Sequence, residues 1–170
     1  DKFHGQTIQF RPLIPELGDA LAQFTRSLPD RDLMFMRMDI SNPEVVGEWV
    51  ENVKRGRTYT LLIEEDGSIQ GYGSLHFSPV YWTRHMAEVR LLVSSRLRGK
   101  GIGRYVVNAL CDVARERGMR RVIAQIPSTQ PKVRYMFEHL GFQPVALLTD
   151  WLKDRHGQRH DLLVLARQLD

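Results

Sequence analysis

The chain has 170 residues, a mass of 19.7 kDa, and 42% hydrophobic against 26% charged residues, which is one domain's worth of sequence with enough apolar content for a single core. Its apolar runs are a few residues long, far short of the ~20 needed to span a bilayer, and the polar N-terminus lacks a signal-peptide core, so a soluble cytoplasmic protein is expected. The formal net charge of +4 comes from 24 basic residues interspersed with 20 acidic ones, which does not point to a nucleic-acid partner and suits a small polyanionic ligand.

In chain order, residues 7–12 read as a strand, 15–27 as a helix opened by Pro15, and 43–54 as a helix with Val45, Val46, Trp49, Val50 and Val53 on one side. Residues 58–77 read as two strands joined at Asp66-Gly67, a strong hairpin signal. In the connection 78–85, Tyr81 and Trp82 either line a binding pocket or cap the end of a sheet. A third strand over 86–93 runs into Arg98-Gly99-Lys100-Gly101-Ile102-Gly103. There a helix begins whose apolar residues Ile102, Val106, Val107, Leu110, Val113 and Ala114 recur at helical spacing, and Gly118 ends it. A buried strand over 121–126 and a helix over 132–140 follow, stopped by Gly141. A final strand pair turns near 154–157 and closes with 162–166.

The glycine loop carries the chemistry. A strand that feeds three glycines and then a helix N-terminus presents bare backbone N–H groups and a favourable dipole, a socket for a pyrophosphate. A dinucleotide fingerprint would need its third glycine where Arg104 stands, and a phosphate loop of the Walker type needs a Lys-Ser or Lys-Thr pair that the chain lacks. What remains is Arg-x-x-Gly-x-Gly.

On that motif, and on the order strand, strand, strand, loop, helix, strand, helix, Gly141-Phe142, strand, strand over 58–167, the sequence resembles the GCN5-related N-acetyltransferase (GNAT) superfamily. The resemblance implies a single α/β domain, a mixed and mostly antiparallel sheet of about six to seven strands flanked by about four helices and splayed at the cofactor site. Residues 1–57 would then cover the acceptor side and 58–167 form the acetyl-CoA-binding core. It implies acetyl-CoA as cosubstrate, with the backbone of Arg98, Gly99, Lys100, Gly101, Ile102 and Gly103 toward the pyrophosphate and the cations Arg98, Lys100 and Arg104 adding local field. Leu91, Leu92 and Val93 would pair with the pantetheine arm as a strand would, facing 124–126, and Gln130 occupies the family's asparagine position before the last helix.

Direct transfer to an amine requires a base but no nucleophilic side chain. Glu88 stands near the family's glutamate on the strand before the loop, and its competing role is an ion pair with Arg90 or Arg84. At the second family position for a base the chain has Gln125, which cannot take a proton. The acid position is held by Phe137, with Tyr135 two residues away as the remaining candidate. His76, His85, His139, His156, His160 and the single Cys111 form no metal-ligand spacing, so no metal is expected, and Cys111 reads as a buried small apolar residue. His160-Asp161 reads as structural.

The implied activity is an acyltransferase that moves acetyl from acetyl-CoA to a primary amine on a small molecule, a peptide N-terminus or a protein lysine. The alternative is a non-catalytic acyl-CoA sensor domain, one part of a longer regulatory protein. No membrane partner is expected, and a homodimer is compatible with the pattern.

Overall fold

The computed structural model describes residues 2–3 and 6–170, with side chains from Thr7 onward. The strands are β1 (Lys2–Phe3), β2 (Gln6–Pro12), β3 (Thr58–Glu65), β4 (Ser68–Phe77), β5 (Met86–Val93), β6 (Arg121–Pro127), β7 (Gln143–Lys153) and β8 (Arg159–Gln168). The helices are α1 (Gly18–Arg26), α2 (Pro43–Lys54), α3 (Ile102–Glu116) and α4 (Pro131–His139). One sheet contains all the strands in the order β1-β2-β3-β4-β5-β6-β8-β7, antiparallel except where β5 meets β6. Apart from the two-residue β1, this is the seven-stranded mixed sheet and four-helix arrangement expected.

Local chemistry sets the boundaries. Asp66 and Gly67 turn the β3–β4 hairpin with φ of +50° and +84°, the paired left-handed conformation that Asp-Gly tolerates. Asn42 caps α2 by accepting from the Glu44 N–H at 2.9 Å, with Pro43 in the first turn. The helix expected from Pro15 begins as a tight turn over Pro15–Leu17 and becomes α-helical at Gly18. Within β7, Asp150 adopts φ +53° and its N–H donates to Asp161 Oδ1 at 2.8 Å, which holds a bulge in the edge strand.

Strand alternation then sorts the core into two layers. Val106, Val107, Leu110 and Ala114 of α3, with Phe137 of α4, pack on Ile63, Leu75, Val89 and Leu165. A Cβ on Gly73 would lie 2.3 Å from Val106 Cγ1, so α3 can rest on β4 only because that position is glycine. On the other face Leu21 of α1 and Val46 and Trp49 of α2 cover Leu62, Tyr72 and Leu92. Cys111 is fully buried and burial pushes its thiol pKa up, as a packing residue requires. Among the described residues no helix is long and apolar enough to cross a membrane.

Candidate active site

The loop between β5 and α3 bends as the glycine spacing requires. Gly99 and Gly101 have φ of +78° and +80°, and a Cβ at either would meet nothing within 4 Å, so both backbones turn an open face outward. Gly101 is the residue before α3, and no side chain caps the helix. Its first N–H groups are therefore left for a ligand, at the positive end of a 15-residue dipole.

Beside this loop the sheet opens. β5 and β6 pair in parallel only from Met86/Arg121 to Val89/Ala124. Past that point Arg90–Val93 pairs with β4 alone and Gln125–Pro127 with β8 alone. The gap continues into a cleft of about 850 Å³ lined by the loop, both splayed strands, the start of α4 and the segment 31–40. Its size and its unpaired strand edges suit an extended chain carrying a phosphate end. Leu91, Leu92, Val93, Arg98, Gly99, Gly101, Ile102, Gly103, Arg104 and Gln130 all line it.

Beyond the splay, on the α1/α2 face, Arg37, Arg90, Gln125, Ser74 and His76 line the polar floor of the cleft, and Glu88 lies behind them, outside the lining. Glu88 Oε1 accepts from Arg90 Nε at 3.1 Å and Nη2 at 2.9 Å, while Oε2 accepts from Arg37 Nη2 at 2.7 Å and Gln125 Nε2 at 2.9 Å. The same Arg37 Nη2 donates to the Gln125 carbonyl at 2.9 Å, just past the last β5–β6 pair. Burial lowers the Arg37 pKa, and Glu88 opposes that shift. His76 sits opposite Glu88 in register and shares a 2.7 Å hydrogen bond with Ser74 Oγ. Burial, reinforced by Arg90 and Arg37, pushes its pKa down to about 3, so the ring is neutral at working pH. Tyr72 is pushed up to about 12 by burial and stays a phenol. Two guanidiniums thus face one carboxylate among neutral groups, which leaves the floor an excess positive charge.

Several expected residues stand differently. Arg98 turns back from the loop: its Nε donates to the Val93 carbonyl at 2.9 Å and its Nη2 to Asp32 at 2.6 Å, where the Asp32 side chain is 3% exposed. Lys100 and Tyr135 do not line the cleft; Tyr135 is 61% exposed on α4. Arg84, one expected partner of Glu88, instead lies 3.8 Å over the Tyr81 ring. Tyr81 and Trp82, 77% and 81% exposed, line no part of the cleft. His160 and Asp161 hold the β7–β8 hairpin, through Asp154 at 2.8 Å and the Asp150 N–H. Sequence reading missed Arg37 and Asp32, whose contacts depend on how distant segments come together, and gave no site role to His76, which belongs to no motif and bonds Ser74 two residues away. Among the described residues no His, Cys, Asp or Glu group could hold a metal ion.

An uncapped helix N-terminus after a glycine loop, beside a parallel strand pair that splays, is the arrangement expected of an acyl-coenzyme A transferase. Residues 23–142 match the family model described as Acetyltransferase (GNAT) family. The chain belongs to that family and by class is an acetyltransferase. It is 28% identical over 130 residues to YwnH of Bacillus subtilis, named for a provisional phosphinothricin acetyltransferase activity, covering 75% of this chain and 78% of that one. It is 31% identical over 111 residues to the L-amino acid N-acyltransferase MnaT of Escherichia coli, covering 65% of this chain and 64% of that one. In fold it is similar to yncA of Salmonella typhimurium, solved with its cofactor acetyl-CoA, at TM-score 0.83 and 23% identity, covering 96% of this chain and 95% of that one.

Proposed function

We propose that this chain acetylates the amine of a small molecule that also carries a carboxylate, drawing the acetyl group from acetyl-CoA by direct transfer. The observation that carries this is the Arg37–Glu88–Arg90 cluster at the mouth of the splay. An amino-acid-like zwitterion complements it charge for charge. Its carboxylate takes the fork of Arg37, which leaves Oε2 of Glu88 with Gln125 as its one remaining donor, and its ammonium then meets that oxygen. The names of the two relatives, one an L-amino acid acyltransferase, favour the same acceptor class.

The residues present fit acetyl-CoA. The N–H groups of 99–103 and the N-terminus of α3 suit its pyrophosphate, Arg104 adds charge, and the open edge of Leu91–Val93 suits its arm. When bound, acetyl-CoA supplies a thioester carbonyl and a thiolate that leaves readily. Glu88 Oε2 would take one proton from the ammonium, leaving a neutral amine just past Val89/Ala124, the last β5–β6 pair; the second N–H proton would pass to solvent as the C–N bond forms and the C–S bond breaks. His76, neutral and opposite Glu88, and Ser74 keep the floor polar without adding charge.

Acetyl-CoA thiol release against amino acids, their decarboxylated amines and lysine peptides tests the reading. Release stimulated by amino acids and at least tenfold weaker with the decarboxylated amines is expected. Stimulation by lysine peptides alone overturns the acceptor class, and tight acetyl-CoA binding without acceptor-dependent release favours the sensor alternative.

A further inference from the structure

The charge of this chain is not spread evenly. Lys54 ends α2 and Arg55 and Arg57 follow it, Arg84 sits before β5, and Arg117, Arg120 and Arg121 follow α3; all are exposed. Backbone contacts tie these turns into one end of the sheet: Phe77 N–H donates to the Arg57 carbonyl, Arg120 N–H to that of His85, and Leu169 N–H to that of Arg120. The same end carries the acids Glu16, Asp19, Glu51, Glu116 and Asp170, since Leu13 pairs with Thr60 and Gly18 packs on Val50, and its seven cations exceed those acids by two.

From the middle of this face projects an apolar tip, Val80-Tyr81-Trp82, 49%, 77% and 81% exposed. Its apolar groups face solvent on a short turn and contribute nothing to the cleft. Exposed consecutive apolar residues of this size need a reason, and their setting supplies one. A tyrosine and a tryptophan at a tip, ringed by cations, suit the boundary between water and an anionic bilayer. A second copy of the chain would bring like charges together here. A convex tip with Arg84 over one face of Tyr81 offers no groove for a peptide and little platform for bases.

We infer that this end docks on an anionic membrane surface, with Tyr81 and Trp82 entering the interface and the surrounding arginines meeting lipid phosphates. β5 starts at this end and reaches the glycine loop roughly 23 Å away, at about 3.3 Å per residue, so the cofactor mouth stays open to solvent in the docked protein.

Co-sedimentation of the 170-residue chain with vesicles of phosphatidylcholine, with and without phosphatidylglycerol, tests this at physiological ionic strength. Binding to the mixed vesicles about tenfold or more above the neutral ones is expected, falling about fivefold for each of Arg120→Ala and Arg121→Ala. Tyr81→Ala with Trp82→Ala lowers it about tenfold. Trp151→Ala, 66% exposed on β7, leaves it unchanged, and unaltered acetyl-CoA affinity in every variant shows that the fold is kept. Equal binding to both vesicles, a tip variant that binds like the parent, or tighter binding to a single-stranded oligoribonucleotide lost in the same variants overturns the inference.

Discussion

Replacing Glu88 by glutamine separates a proton acceptor from a structural ion pair, because the side chain keeps its shape and loses its charge. The carboxylate accepts four hydrogen bonds, three from guanidinium N–H groups and one from Gln125. An amide oxygen can keep the two from Arg90, but the amide nitrogen then faces Arg37 donor to donor. Gln125 can turn its own amide to compensate; Arg37 cannot. With Glu88 12% and Arg37 33% exposed, the lost charge-assisted bond is worth about 2 kcal/mol, which lowers Tm by about 4–8 °C in a chain of this length. Removal of a general base lowers turnover by about 10²- to 10⁴-fold. Calorimetry and thiol release on one sample, with acetyl-CoA affinity measured alongside, read both effects. If Tm falls as worked out while kcat stays within twofold, Glu88 is a structural ion pair and the base assignment fails.

Arg37→Gln should raise KM for a carboxylate-bearing amine about tenfold or more and leave the decarboxylated amine within threefold, a split visible in steady-state rates. Gly101→Val forces a β-branched residue to φ +80°, so the loop must move, and calorimetry should show acetyl-CoA binding at least about tenfold weaker. His76 takes no proton in the folded chain until about pH 3, whereas an unfolded imidazole takes one near 6.5. The unfolded state therefore binds more protons as pH falls below 6.5, and stability declines there by up to about 1.4 kcal/mol per pH unit. Denaturant unfolding at about pH 7 and pH 5 should show the parent losing about 2 kcal/mol more than His76→Gln; parallel losses would contradict the buried neutral ring.

What the sequence disclosed was local or periodic. The β3–β4 turn needs only Asp66 and Gly67, the loop needs only its glycine spacing, and α3 shows its buried face in Val106, Val107 and Leu110. The core strands follow from the same logic, since alternation along β4 sends Tyr72 and Ser74 to one face and Leu75 to the other. The acceptor side was opaque because it depends on a segment with little regular structure. Residues 28–42 are held by separate long-range contacts, Asp32 to Arg98 and Arg37 to Glu88 at the site and the Met34 carbonyl to the Arg155 N–H away from it. No short-range pattern encodes a pair 66 or 51 residues apart. Tyr81 and Trp82 invited a place in the cleft by composition alone, and the turn at Tyr81–Thr83 points them elsewhere.

The last helix bears on how the thiolate leaves. Phe137 is 3% exposed, meets Phe142 edge to face at 5.0 Å and lines the inner wall of the cleft, so the position where relatives of the family carry a phenol is held by a ring with no proton to give. Tyr135, two residues back, is rotated by about 200° on an α-helix and lies in solvent. Neither can donate a proton into the cleft. A coenzyme A thiolate would be a good leaving group, so the transfer would not demand a side-chain acid. Tyr135→Phe should therefore keep kcat within twofold at every pH. Phe137→Tyr places a hydroxyl at the wall of the cleft and should not raise kcat. A tenfold loss in the first variant, or a tenfold gain in the second, would show that protonation of the departing sulfur limits the rate and that the direct route drawn from Glu88 is incomplete.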